Sequence, residues 1–150
     1  MKENFDCTQF ITFNLEEDKN ILDSVVDEFS KIGFDIILDI RDIKKAYFKE
    51  YLGEYFIELK DDNFMGEFEE WELENEPPSR IKDFMSVVKK IVQIKNIKSF
   101  TVMLTYFAEV GDSTNEVINV DSSNIQQGLF SMSRHNYDYC VDNLILKIGV

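Results

Sequence analysis

The feature that most constrains the fold is a change of hydrophobic period at Gly33. Ile21, Leu22, Val25, Val26, Phe29 and Ile32 recur at the spacing of one helical face. Gly33 follows where a helix can end in the left-handed conformation that glycine adopts without steric cost. From Phe34 to Ile40 the pattern switches: Phe34, Ile36, Leu38 and Ile40 alternate against Asp35 and Asp39, the period of a strand with one buried face. A helix and a strand that each carry one apolar face point to helices packed on a sheet.

The rest of the chain repeats these two patterns. Thr8–Phe13 is rich in β-branched and aromatic residues and reads as a strand. Asn14-Leu15-Glu16-Glu17 reads as a capped helix start. Ile43, Tyr47 and Tyr51 have the spacing of a short helix, and Glu54–Lys60 reads as a strand. Asp61-Asp62-Asn63 reads as a turn, with Phe64–Glu74 pairing back as the second arm of a hairpin. Pro77-Pro78-Ser79 ends that element and opens a helix whose stripe is Ile81, Phe84, Met85, Val88, Ile91 and Val92. Ser99–Ala108 is apolar enough for a central strand. Gly111–Asn115 reads as a turn, Val117–Val120 as a returning strand, Asp121–Ser123 as the cap of a short helix through Phe130, and Asn143–Ile148 as the last strand. The expected class is α+β: a mostly antiparallel sheet with helices on one face, a split β-α-β-like core and a C-terminal extension, in one domain spanning 1–150.

Charge restricts the partners. The chain carries 16 Lys and Arg against 29 Asp and Glu, a net charge of −13. Its pI is near 4.4. Polyanions repel such a surface, so neither nucleic acid nor an anionic membrane is expected as a partner, and cationic proteins are favoured. No run approaches the ~18 apolar residues of a membrane span. The N-terminus has no apolar signal region, so the cytoplasm is the expected compartment. Cys7 and Cys140 stand outside any C-x-x-C and read as reduced thiols, a disulfide between terminal strands being the alternative.

The negative charge is concentrated. Asp61, Asp62, Glu67, Glu69, Glu70, Glu72, Glu74 and Glu76 fall within sixteen residues that hold no base, interleaved with Phe64, Phe68 and Trp71, the only Trp. Phe64, Phe68 and Trp71 fit i, i+4, i+7 on a helix, whereas Glu70-Trp71-Glu72-Leu73-Glu74 alternates like a strand. The strand is preferred here, because the turn cluster precedes it and Gly66 weakens a helix. Trp71 and Leu73 would then face the core beside an acidic row. Such a row is either a solvated edge that blocks aggregation or a docking surface for a basic protein. For docking, Asp61, Asp62, Glu67, Glu69, Glu70, Glu72 and Glu74 would steer the encounter, and Phe68 or Trp71, if exposed, would anchor it. Arg80, Lys82, Lys89, Lys90, Lys95 and Lys98 gather around the second helix and read as a solvated face, Lys89, Lys90 and Lys95 suiting a helix C-terminus.

Reaction chemistry has little to work with. Asp61, Asn63, Gly66 and Glu72 match positions of a calcium loop, but Met65 stands where an oxygen ligand belongs. His135 is the single histidine, no G-x-S-x-G accompanies it, and no glycine loop could cradle phosphate. No cofactor, metal site or catalytic residue is assigned.

A small acidic α+β chain with an aromatic acidic segment at Asp61–Glu76 and no catalytic motif resembles the immunity proteins of bacterial toxin systems, in particular contact-dependent growth inhibition. The resemblance is one of overall character. It implies a protein that binds a cognate toxin domain, often a basic nuclease, and blocks its active site or the approach of substrate. A small carboxylate-dependent enzyme or metal-binding protein, and a general interaction domain, are the alternatives.

Overall fold

The computed structural model describes residues 7–15, 19–38, 55–94, 97–106, 115–138 and 143–149. The elements in chain order are β1 (Cys7–Leu15), α1 (Lys19–Lys31), β2 (Asp35–Leu38), β3 (Tyr55–Lys60), α2 (Asp62–Glu70), α3 (Ser79–Val92), β4 (Ile97–Tyr106), β5 (Asn115–Asp121), a 3₁₀ turn (Ser122–Asn124), α4 (Ile125–Asp138) and β6 (Asn143–Gly149). Among the described residues six strands form one sheet in the order β2-β3-β1-β4-β6-β5. The class is α+β, with the helices on one face.

The first four strands build the expected split β-α-β core. β3 lies antiparallel to both β2 and β1 and so separates the two strands that α1 connects. β4 is central, antiparallel to β1 on one side and to β6 on the other. Its alternating residues show why. Phe100, Val102 and Leu104 pair with Ile148, Leu146 and Leu144 and enter the helix-side core, while Met103 and Ile145, fully buried, pair on the opposite side of the strands. A strand buried on both sides must be apolar almost throughout.

The helix stop at Gly33 forms as its sequence implies. Gly33 takes φ +87°. Its N–H donates to the Ser30 carbonyl at 3.0 Å, and the Phe34 N–H donates to the Phe29 carbonyl at 3.2 Å. Those two bonds are a Schellman cap, and the accompanying apolar contact is Phe34 edge-on to Phe29 at 6.0 Å. The stripe expected for α3 is buried in full, with Lys89 and Lys90 in its last turn.

Three expectations fail. Asn14 does not begin a helix: it lies in β1 and pairs with Ser99. Phe64–Glu74 is no hairpin arm, because residues 62–70 are helical. β5 does not return along β4 as a hairpin. It lies parallel to β6, which is inserted between them. Parallel pairing needs a crossover, and α4 supplies it by running on past Phe130 to Asp138. The helix read at Ile43–Tyr51 and the position of Cys140 lie outside the described residues.

Candidate acidic surface

The acidic segment is a helix followed by a pinned loop. Asp61 is the N-cap of α2, in extended conformation, with Oδ1 accepting from the Asn63 N–H at 3.1 Å. Phe64 and Phe68, one turn apart, are 3% and 1% exposed and stack at 5.6 Å. Burying one such ring contributes ~1.5–3 kcal/mol, more than the ~1 kcal/mol that Gly66 costs a helix interior. The aromatic spacing therefore outweighs both the glycine and the strand-like alternation that follows it.

α2 ends at Trp71, whose side chain is core rather than surface, 1% exposed. Its ring meets Phe130 of α4 at 5.1 Å and 71°. The Trp71 Nε1–H donates to the Leu73 carbonyl at 2.7 Å, and the Glu76 N–H donates to the same oxygen at 3.0 Å. Arg134 donates to the Trp71 carbonyl while its guanidinium lies over the Phe130 ring at 5.3 Å. Gln126 Nε2 donates to the Glu74 carbonyl at 2.5 Å. The loop thus turns its carbonyls inward onto α4. Its side chains Glu72, Leu73, Glu74, Asn75 and Glu76 are left exposed. Leu73, 54% exposed, is the one large apolar side chain on the surface among the described residues. It does not face the core beside Trp71, because in a turn neighbouring side chains lose the strict alternation of a strand.

The nine candidate residues accordingly divide. Phe68 and Trp71 are buried and cannot anchor a partner. Asp61 and Glu67 are committed to the fold. Asp61 Oδ2 accepts from Arg80 Nε at 2.7 Å and from Arg80 Nη2. Glu67 caps α3 from outside: Oε2 accepts the Arg80 N–H at 2.7 Å and Oε1 the Ser79 hydroxyl at 3.2 Å. Pro78, the N-cap of α3, has no side chain able to do this. Asp62 is exposed in the first turn of α2, about 10 Å along the axis from Glu69 at 1.5 Å per residue. Glu69, Glu70, Glu72 and Glu74 remain, and Glu76 joins them, all exposed.

Among the described residues no cation neutralises these carboxylates. Lys31 pairs with Asp27 at 3.0 Å and Glu28 at 3.7 Å, and Lys90 with Glu28 at 3.3 Å. The hydrogen bond to Asp27, then the charges of Asp27 and Glu28, hold the Lys31 pKa above its ordinary value. Arg80 leaves the basic patch altogether. It pairs with Asp61 and Asp83, donates to the Ile32 carbonyl that ends α1, and lies over Phe34 at 4.7 Å. Among the described residues none forms an ion pair with Glu69, Glu70, Glu72, Glu74 or Glu76. Glu69 and Glu70 also occupy the last turn of α2, where no base balances them and the macrodipole is adverse, typically by ~0.3–1 kcal/mol per charge.

The calcium-loop pattern does not close into a cage. Asp61 and Glu72 stand beyond opposite ends of α2, and both Asp61 oxygens are engaged within the fold. No helix among the described residues is long and apolar enough to cross a membrane.

What the sequence did not reveal is the support of this surface. Arg134 and Gln126 act from more than fifty residues away, and no local pattern signals them. Compared with protein-family models, curated proteins and solved structures, the chain matches none.

Proposed function

We propose that this chain is an inhibitor of the toxin-immunity kind, which binds and neutralises a basic partner enzyme, a nuclease by preference, in the cytoplasm. The observation that carries the reading is the run from Glu69 to Glu76. Five exposed carboxylates surround an exposed Leu73 on a loop whose backbone is fastened to α4. A fold does not need uncompensated charge at a helix C-terminus; a receptor for lysine and arginine does. Fastening the loop beforehand lowers the ordering cost of association. The carboxylates would pair with side chains that otherwise hold substrate phosphate, and Leu73 takes the anchoring role assigned from the sequence to Phe68 and Trp71.

Charge of this kind acts mainly on encounter rate. The test is association with the basic protein encoded beside this chain, followed by stopped-flow fluorescence. Joint reversal by Glu69→Lys, Glu70→Lys and Glu72→Lys should slow association by about tenfold or more, and the wild-type rate should fall steeply with salt. An association rate insensitive to both changes overturns the assignment.

A further inference from the structure

β5 lies at one edge of the sheet, and among the described residues no strand pairs with its outer side. Natural edges are normally blunted by brevity, lysine, proline or a bulge. β2, the opposite edge, is described over only four residues. β5 runs for seven, in unbroken register with β6, without lysine or proline. A cleft of about 650 Å³ lies where the ends of β5 and β6 meet α4, Lys147, Ile148 and Gly149 of β6 being part of its lining. Its lining comes from both sides of the strand: Ile118 and Val120 pack against the helix-side core, while Asn119 pairs with Lys147. On α4, Gln127 and Ser131 line it one turn apart. Gly128 lets helix and strand approach closely, since a Cβ there would stand 3.0 Å from Val120 Cγ1. An edge left unpaired among the described residues, with a cleft and a helix beside it, has room for an added strand.

Charge selects the occupant. The charged residues of β5 are Glu116 and Asp121, both acidic. A second copy would bring another chain of net charge −13 against this edge, which opposes self-pairing. The acidic loop lies on the neighbouring side of α4, since Gln126 holds Glu74 while Gln127 lines the cleft. A helix is ~10 Å across, so about three extended residues bridge the two sites.

We propose that β5 accepts an extended lysine- or arginine-flanked segment of the partner as a seventh strand, with that segment's basic flank reaching the Glu69–Glu76 surface. The inference rests on the functional reading above for the partner's basic character, but the recognition itself is through backbone hydrogen bonds. The test uses the whole protein and a synthetic peptide the length of β5, alternating valine and threonine with lysine at both ends. An alternately N-methylated copy of the peptide keeps composition and charge but loses the donors. The expected result is peptide-induced amide shifts and exchange protection in Val117–Val120, with binding weakened about tenfold by N-methylation. Gln127→Trp, which fills the cleft from an exposed position, should weaken it similarly. Equal binding of the N-methylated peptide, or no shift in β5, overturns the proposal. Shifts confined to Glu69–Glu76 overturn it while leaving the acidic surface as a docking site. Protection of β5 that grows with protein concentration in the absence of peptide overturns it in favour of self-pairing.

Discussion

At the scale of single residues, Arg80 shows how position decides what a charge does. In the sequence it is one of six bases near one helix; in the fold its side chain is 19% exposed and its partner Asp61 only 10%. Four groups depend on it: the Asp61 carboxylate, Asp83, the last carbonyl of α1 and the Phe34 ring. Arg80→Met should destabilise the protein by about 2–4 kcal/mol, since it strands a largely buried carboxylate and an unsatisfied carbonyl together. Urea unfolding would measure this, and a loss below about 0.5 kcal/mol would contradict it. Two glycines make an opposed pair. A Cβ at Gly66 meets nothing within 4 Å, whereas at Gly128 it would stand 2.7 Å from Leu146 Cδ1. Gly66→Ala should stabilise by about 0.5–1 kcal/mol through helix propensity. Gly128→Ala should cost about 1–3 kcal/mol, because Leu146 is fully buried and cannot swing clear. Thermal unfolding of the two variants should move in opposite directions.

At the scale of elements, the sequence is informative where one local rule acts alone. α1 and its stop at Gly33, the stripe of α3 and the centrality of β4 all follow from periodicity with no competing signal. The acidic segment is where two signals compete. Phe64, Phe68 and Trp71 mark a helix, while Glu70–Glu74 alternates, and the decision rests on ring burial against partners elsewhere in the chain. Asp61 reads equally well as a turn residue or an N-cap until α2 is known to follow it. The candidate site was correspondingly half legible. Its negative charge was plain, but which acids are free depends on Arg80 and on the N-terminus of α3, and the anchors were misplaced because Trp71 turns inward. The rigidity of the loop is a property of α4. Gln126→Ala should speed amide exchange at Glu76 by several-fold while changing global stability by no more than about 0.5 kcal/mol. Unaltered exchange there would show that the Trp71 and Arg134 contacts suffice to hold the loop.

At the scale of the whole molecule, a net charge of −13 opposes compaction. Moderate salt should therefore raise the melting temperature. Screening that recovers about 1 kcal/mol corresponds to about 2–4 °C for a chain of this size. Reversing Glu69, Glu70 and Glu72 to lysine should reduce that salt response, although it removes no buried contact. A melting temperature that falls with added salt would mean that the native ion pairs outweigh the repulsion. The strand order carries a different consequence, for the way the polypeptide is made. β4 is flanked by β1, long since synthesised, and by β6, which emerges last among the described strands. β5 leaves the ribosome before the strand it pairs with. The sheet therefore cannot assemble in the order of translation: a nascent chain exposes one apolar border of β4 until Asn143–Gly149 arrives. Stalling or clipping ahead of Asn143 would leave that border bare, and such intermediates are the ones that quality-control machinery has to shield.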